Sequence, residues 1–73
     1  MAKYQVYIKI NKNNDVVNIN SNVFIRDYTN WIKVDEGNGN KYAHAQNGYL
    51  NKPLFNKNGT CNYKYINGKI VEV

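Results

Sequence analysis

The stretch KYQVYIKINKNNDVVNIN, residues 3–20, decides the fold, because apolar side chains alternate on either side of a polar turn. Tyr4, Val6, Ile8 and Ile10 share one face of an extended chain, while Lys3, Gln5, Tyr7 and Lys9 take the other. Strand side chains point alternately to opposite faces, so this period of two predicts a half-buried β-strand. Asn11, Lys12, Asn13, Asn14 and Asp15 follow. Asn tolerates left-handed backbone and turns its amide onto nearby main-chain groups, which makes this cluster a turn. Residues 16–20 then read as the returning strand of a hairpin, with Val17 and Ile19 on one face.

At the other end, Asn67-Gly68 separates residues 61–66 from residues 69–73. This dipeptide suits a two-residue type I′ turn and predicts a second hairpin, with Ile66 opposite Lys69, Tyr65 opposite Ile70 and Tyr63 opposite Glu72. Asn56, Lys57, Asn58 and Gly59 make a turn that folds Leu54-Phe55 back onto the Cys61 strand.

Between the hairpins, Val23, Phe24 and Ile25 are expected as a brief strand or buried turn plugging the core. Residues 27–30 read as a turn, and residues 31–35 as a central strand with Ile32 and Val34 on one face and Trp31, Lys33 and Asp35 on the other. The loop EGNGN, residues 36–40, leads to one short helix near residues 40–47, with Asn40 as its cap and Gly48 at its end. Pro53 bars its continuation. The predicted class is mainly β, a small α+β fold: two antiparallel hairpins around a central strand with one short helix, in a single domain of residues 1–73.

A 73-residue chain has room for one core. Its 42% hydrophobic content argues against disorder. The net charge of +5 raises the question of nucleic acid. The basic residues are scattered singly, however, and an Asn-, Lys-, Ile- and Tyr-rich composition is what an AT-rich genome writes. No specific nucleic-acid partner is expected. Cys61 is the only cysteine, which excludes an intrachain disulfide and a multi-thiolate zinc site. It is expected as a buried structural thiol. Residues 1–3 run into the first strand without an apolar leader, so no secretory signal, membrane span or membrane partner is expected.

Candidate chemistry centres on Trp31, Asp35, Glu36, Tyr42, His44, Gln46 and Tyr49. Asp35, Glu36 and His44 are the one grouping of acids and a base, but no nucleophile elbow or oxyanion arrangement accompanies them. The competing reading gives the acids a turn-shaping role beside a helix start. The same three residues lack the ligand count or spacing of a metal loop, so neither catalysis, a metal nor a cofactor is expected. Trp31, Tyr28, Tyr42 and Tyr49 could form an aromatic binding surface, or Trp31 and Tyr42 could close the core, which for a single Trp in so small a domain is the expectation here. Tyr42 and Gln46, one helical turn apart, should face the same way, and His44 elsewhere.

The block TNWIKVDEGNGNKYAHAQNGYL, residues 29–50, resembles the W-I-x-I-D-E-G-x-G-D-K-Y-x-H-A-Q block of small proteins encoded in tail-gene clusters of phages and prophages of Gram-positive bacteria. Upstream, Ile19-Asn20-Ser21 with Phe24 and Asp27 is similar to the family's lead-in. Downstream, Lys52-Pro53-Leu54, Tyr63-Lys64, Gly68-Lys69 and Val71-Glu72 follow its elements in order. The chain departs from the pattern at Asn40, where the family has Asp, and it stops at Val73, where relatives continue into a polar tail. The resemblance implies no catalytic residues. It implies a non-enzymatic structural or accessory protein of the tail, in contact with other tail or fibre proteins, present in the host cytoplasm during assembly and then in the virion tail. A homo-oligomer through an open strand edge is a further expectation. The alternatives are a phage-encoded modulator of a host protein and a small carbohydrate-binding module.

Overall fold

The computed structural model describes residues 3–73. The reading of Met1 and Ala2 lies outside them. Strands β1 (Tyr4–Ile10), β2 (Val16–Ser21) and β3 (Ile32–Gly37) form an antiparallel sheet in the order β2-β1-β3. Two helical turns follow, α1 (Asn40–Ala43) and α2 (Ala45–Gly48), and then the hairpin of β4 (Tyr63–Ile66) and β5 (Lys69–Glu72). The mainly β class, both hairpins and the short helical segment are as expected. The strand at the centre of the sheet is β1, with β3 at its edge.

The two faces of β1 are settled by its own alternation. Val6 and Ile8 are fully buried and pack with Val16, Ile19, Ala45 and Tyr63. Tyr7 and Lys9 lie on the opposite, outer face.

Both partner strands are bulged. Lys9 pairs with Asn18 but Ile10 pairs with Val16, so Val17 is the extra residue. An extra residue shifts the inside–outside parity. It is why Val16 and Ile19 are the buried pair, and not Val17 with Ile19. The second bulge lies at Val34, since Val6 pairs with Asp35 and Tyr7 with Lys33. It turns Asp35 to the face of Val6, whereas strict alternation placed Asp35 outside with Trp31 and Lys33.

Asn11 holds the β1–β2 turn, its Oδ1 accepting the N–H groups of Asn13 and Asp15, with Asn14 at φ 65°. Asn22–Phe24 is a single 3-10 turn capped by Ser21, whose hydroxyl accepts the Val23 N–H. The expected plug is therefore one residue: Ile25 is buried, but Val23 and Phe24 stand 57% and 53% exposed.

The helix is not continuous. It breaks at His44, where φ is −124°, and Gly39 rather than Asn40 occupies the cap position, with no side chain capping it. The break has a packing cause. Ala43 and Ala45 are both buried, and residues two apart on a regular helix point to opposite sides. Gly48 ends up inside α2, and Tyr49 closes it.

The second hairpin follows the predicted register, Ile66 with Lys69, Tyr65 with Ile70 and Tyr63 with Glu72, about a turn with Asn67 at φ 52° and Gly68 at φ 81°. Phe55 bridges Cys61, and the Asn62 N–H donates to Leu54 O. Cys61 is half-buried rather than buried. The β1–β2 turn joins the two sheets: the Tyr65 N–H donates to Asn14 O at 2.8 Å, and Lys64 forms an ion pair with Asp15 at 3.0 Å.

Candidate functional site

The sequence-predicted site residues divide among separate places. Asp35 and Glu36 are adjacent in β3 and so point to opposite faces. Asp35 lies inward, where its Oδ2 accepts the Tyr49 hydroxyl at 2.6 Å and its Oδ1 the Glu36 N–H at 2.8 Å. Burial, and then the Asp35 carboxylate, push the Tyr49 phenol well above the usual tyrosine range. Glu36 lies on the outer face between Lys33 and Lys3, and their hydrogen bonds and charge, Lys33 foremost, hold its carboxyl below the usual range. The two acids therefore act as strand residues with separate partners, not as shapers of a turn.

His44 is exposed at the helix break, its ring 5.9 Å from that of Phe24. Among the described residues, no three His, Cys, Asp or Glu side chains are placed to share a metal ion. Ser21, fully buried, has its hydroxyl engaged by the Val23 N–H.

The aromatic residues also separate. Tyr42 and Tyr49 meet edge to face at 6.0 Å, with the Lys41 ammonium 5.6 and 5.2 Å from their ring centres. Gly37 makes room for this clasp: a Cβ there would come within 2.6 Å of the Tyr42 ring. Tyr28 instead packs on Tyr7 at 5.0 Å, and the Lys9 ammonium sits 4.8 Å from the Trp31 ring, both on the outer face of β1. Trp31 is half-buried there and does not close the core. Because of the break at His44, Tyr42 and Gln46 do not share a face. Gln46 lines a groove of about 410 Å³ with Asn18, Ile19, Leu50 and Leu54.

The feature that does set one place apart is the state of the strand edges. The Gln5 N–H turns toward β2, where it donates to Asn22 Oδ1 at 2.9 Å. Alternation along antiparallel pairs then aims the N–H groups of Ile19, Ser21 and Glu36 away from β1. All three are capped by the preceding side chain: Ile19 by Asn18 Oδ1, Ser21 by Asn20 Oδ1 and Glu36 by Asp35 Oδ1, each at 2.8–2.9 Å. Both edges of the sheet are thus bulged and carry capped N–H groups, although the Lys33 N–H of β3, which alternation also aims away from β1, has no such cap. The free side of β4 is covered by Asn14 and Asp15.

β5 has no such protection. In its two-residue hairpin, Lys69 and Val71 face β4, so the N–H groups of Ile70 and Glu72 point outward. Neither donates to any group among the described residues. The edge borders a groove of about 440 Å³ that also includes Val34, Asp35, Tyr49 and Leu50. Val71 and Ile66, 40% and 45% exposed, lie beside it on the outer face of the hairpin.

Sequence reasoning named none of the β5 residues as a site. The available clue was the asymmetry of Asn placement: Asn18 and Asn20 stand just before Ile19 and Ser21, and β5 carries no Asn or Asp. No protein-family model, no curated protein and no solved structure matches the chain.

Proposed function

We propose that this chain is a non-enzymatic structural or accessory protein of a phage or prophage tail module, and that it binds its partner as an added strand on β5. The observation that carries the reading is the regular, wholly uncapped edge of β5 beside bulged and partly capped edges elsewhere. An exposed row of main-chain donors and acceptors is a template for another strand. Val71 supplies apolar contact beside it. The resemblance of residues 29–50 to tail-cluster proteins supplies the biological setting. Other tail or fibre proteins are then the partners, met in the host cytoplasm during assembly and retained in the virion tail.

The test is recovery of tagged protein from an induced lysogen, with mass spectrometry of the co-purifying proteins and of purified virions. Glu72→Pro serves as the edge variant. It removes an outward N–H and leaves the ladder to β4 intact, and Glu72→Gln controls for the ion pair with Lys52. Tail or fibre proteins should be recovered with the parent and with Glu72→Gln, and lost with Glu72→Pro. Recovery of a single host protein, with none of the chain in virions, would overturn the tail assignment in favour of a host modulator. Undiminished capture by Glu72→Pro would overturn the role of β5.

A further inference from the structure

Four of the five glycines follow an asparagine: Asn38-Gly39, Asn47-Gly48, Asn58-Gly59 and Asn67-Gly68. In this dipeptide the main chain can attack its own side chain, because glycine has no Cβ to hinder its amide nitrogen as it approaches the Asn carboxamide carbon. Attack needs a carboxamide and a following N–H that are both free to move. The fold treats the four pairs very differently.

Asn58 is held at both reacting groups. Its Oδ1 accepts from the Thr60 N–H and hydroxyl, at 3.2 and 2.7 Å, and the Gly59 N–H donates to Asn56 O at 2.9 Å. Asn67 and Gly68 are fixed in the tight turn closed by the Ile66–Lys69 pair. Asn47 and Gly48 lie within α2, in a segment held by bonds from Asn47 N to His44 O and from Tyr49 N to Ala45 O. Of the four asparagines, Asn38 alone lies outside both helix and hydrogen-bonded turn. Its exposed side chain makes no hydrogen bond among the described residues, and neither does the Gly39 N–H.

We propose that Asn38 is a site of spontaneous deamidation. The Gly39 amide nitrogen gives up its proton and bonds to Asn38 Cγ. The bond from Cγ to the side-chain nitrogen breaks, and that nitrogen leaves as ammonia. The resulting five-membered imide is opened by water at either carbonyl, giving aspartate or isoaspartate. The balance is one water in and one ammonia out, with no oxidant or reductant.

The location gives the change a structural consequence. On one side is Gly37, whose lack of a side chain seats the Tyr42 ring; on the other is Gly39, whose carbonyl accepts the Tyr42 and Ala43 N–H groups. Isoaspartate lengthens the main chain between these two anchors, which loosens α1 and the Tyr42–Tyr49 clasp. The added carboxylate lowers the formal charge by one, from +5 to +4.

Trypsin places each pair on its own peptide, residues 34–41, 42–57, 58–64 and 65–69, since the Lys52-Pro53 bond resists cleavage. The folded protein is aged in mildly alkaline buffer and in the same buffer with denaturing urea. Each peptide is then followed by mass spectrometry, with enzymatic methylation to mark isoaspartate. In the folded protein, peptide 34–41 should convert several-fold faster than the other three, and urea should bring all four rates together. Equal rates in the folded state, a different leading peptide, or an Asn38 lead unchanged in urea would each overturn the proposal. Asn38→Gln should abolish conversion of peptide 34–41 without altering the others.

Discussion

In the β2-β1-β3 sheet, both outer strands carry a bulge and N–H groups capped by the preceding Asn or Asp side chain, whereas β5 runs through four regular pairs with neither. The sheet also holds most of the buried side chains: Val6, Ile8, Val16 and Ile19 are 6% exposed or less, against Tyr63 alone from the hairpin. One region caps several of its outward N–H groups and supplies most of the core. The other adds little to the core and leaves a ladder half made. In a domain this small, the strands that build most of the core are therefore not the strand whose edge stays open.

The strongest break in that comparison comes from paired truncations. Ile8 is fully buried at the centre of the sheet, and removing its side chain to Ala should cost about 2–5 kcal/mol. A domain of this length has a total stability on the order of 0.05–0.15 kcal/mol per residue, so Ile8→Ala should remove a large fraction of it and lower the urea midpoint accordingly. Val71→Ala, at a position 40% exposed, should stay within about 0.5 kcal/mol. Urea titration followed by circular dichroism measures both, and similar losses would show that the hairpin carries as much of the core as the sheet.

A smaller effect is expected at the edge of the sheet nearest the helical turns. Gly37→Ala drives a Cβ into the Tyr42 ring, and overpacking of this kind costs about 1–3 kcal/mol. Tyrosine signals in near-ultraviolet circular dichroism should change with it, since Tyr42 packs against Tyr49. An unaltered spectrum and stability would mean the ring moves aside freely.

How much of this was legible follows from where local chemistry was sufficient. Asn67-Gly68 specifies its own turn, so the register of β4 and β5 followed directly. The Asn11 to Asp15 turn was equally readable. The bulges were not, because Val16 and Val17 are equally apolar and only the β1 ladder decides which is extra. The same holds for Asp35: alternation sent it outward, and the bulge at Val34 brought it to Tyr49. The break at His44 had one visible cue in Ala43 and Ala45, two small apolar residues at a spacing no regular helix can bury together. The asparagines of β2 looked like compositional drift, and their capping role appears only once the edge is known.

The Tyr49–Asp35 bond gives the next contrast, now through pH. Tyr49→Phe removes a hydrogen bond to a carboxylate, and because Asp35 is half-exposed the cost should be about 1–2 kcal/mol. The folded state raises the ionisation of Tyr49 through burial and Asp35. Below the ordinary tyrosine range both states keep the proton and stability is unaffected. Above about pH 10 the unfolded chain releases it while the folded chain retains it, so stability falls as pH rises. Tyr49→Phe should flatten part of that alkaline decline, and an identical decline in both proteins would remove Tyr49 from the account.

The smallest effect per hydrogen bond removed, and the most direct trial of the edge contrast, lies in Asn18→Ala with Asn20→Ala. Each substitution removes a cap from an N–H that points away from β1 at the sheet edge, and the intramolecular cost should be about 0.5–1.5 kcal/mol per bond. The effect on association should be larger than that cost implies. The N–H groups of Ile19 and Ser21 become available, and β2 comes to resemble β5. The double variant should therefore self-associate at lower concentrations than the parent in sedimentation velocity. Adding Glu72→Pro should leave that gain in place, because it arises on β2. If Glu72→Pro cancels it, association runs through β5 in both proteins. The caps would then serve only the local backbone, and bulging alone would separate the closed edges of the sheet from the open edge of the hairpin.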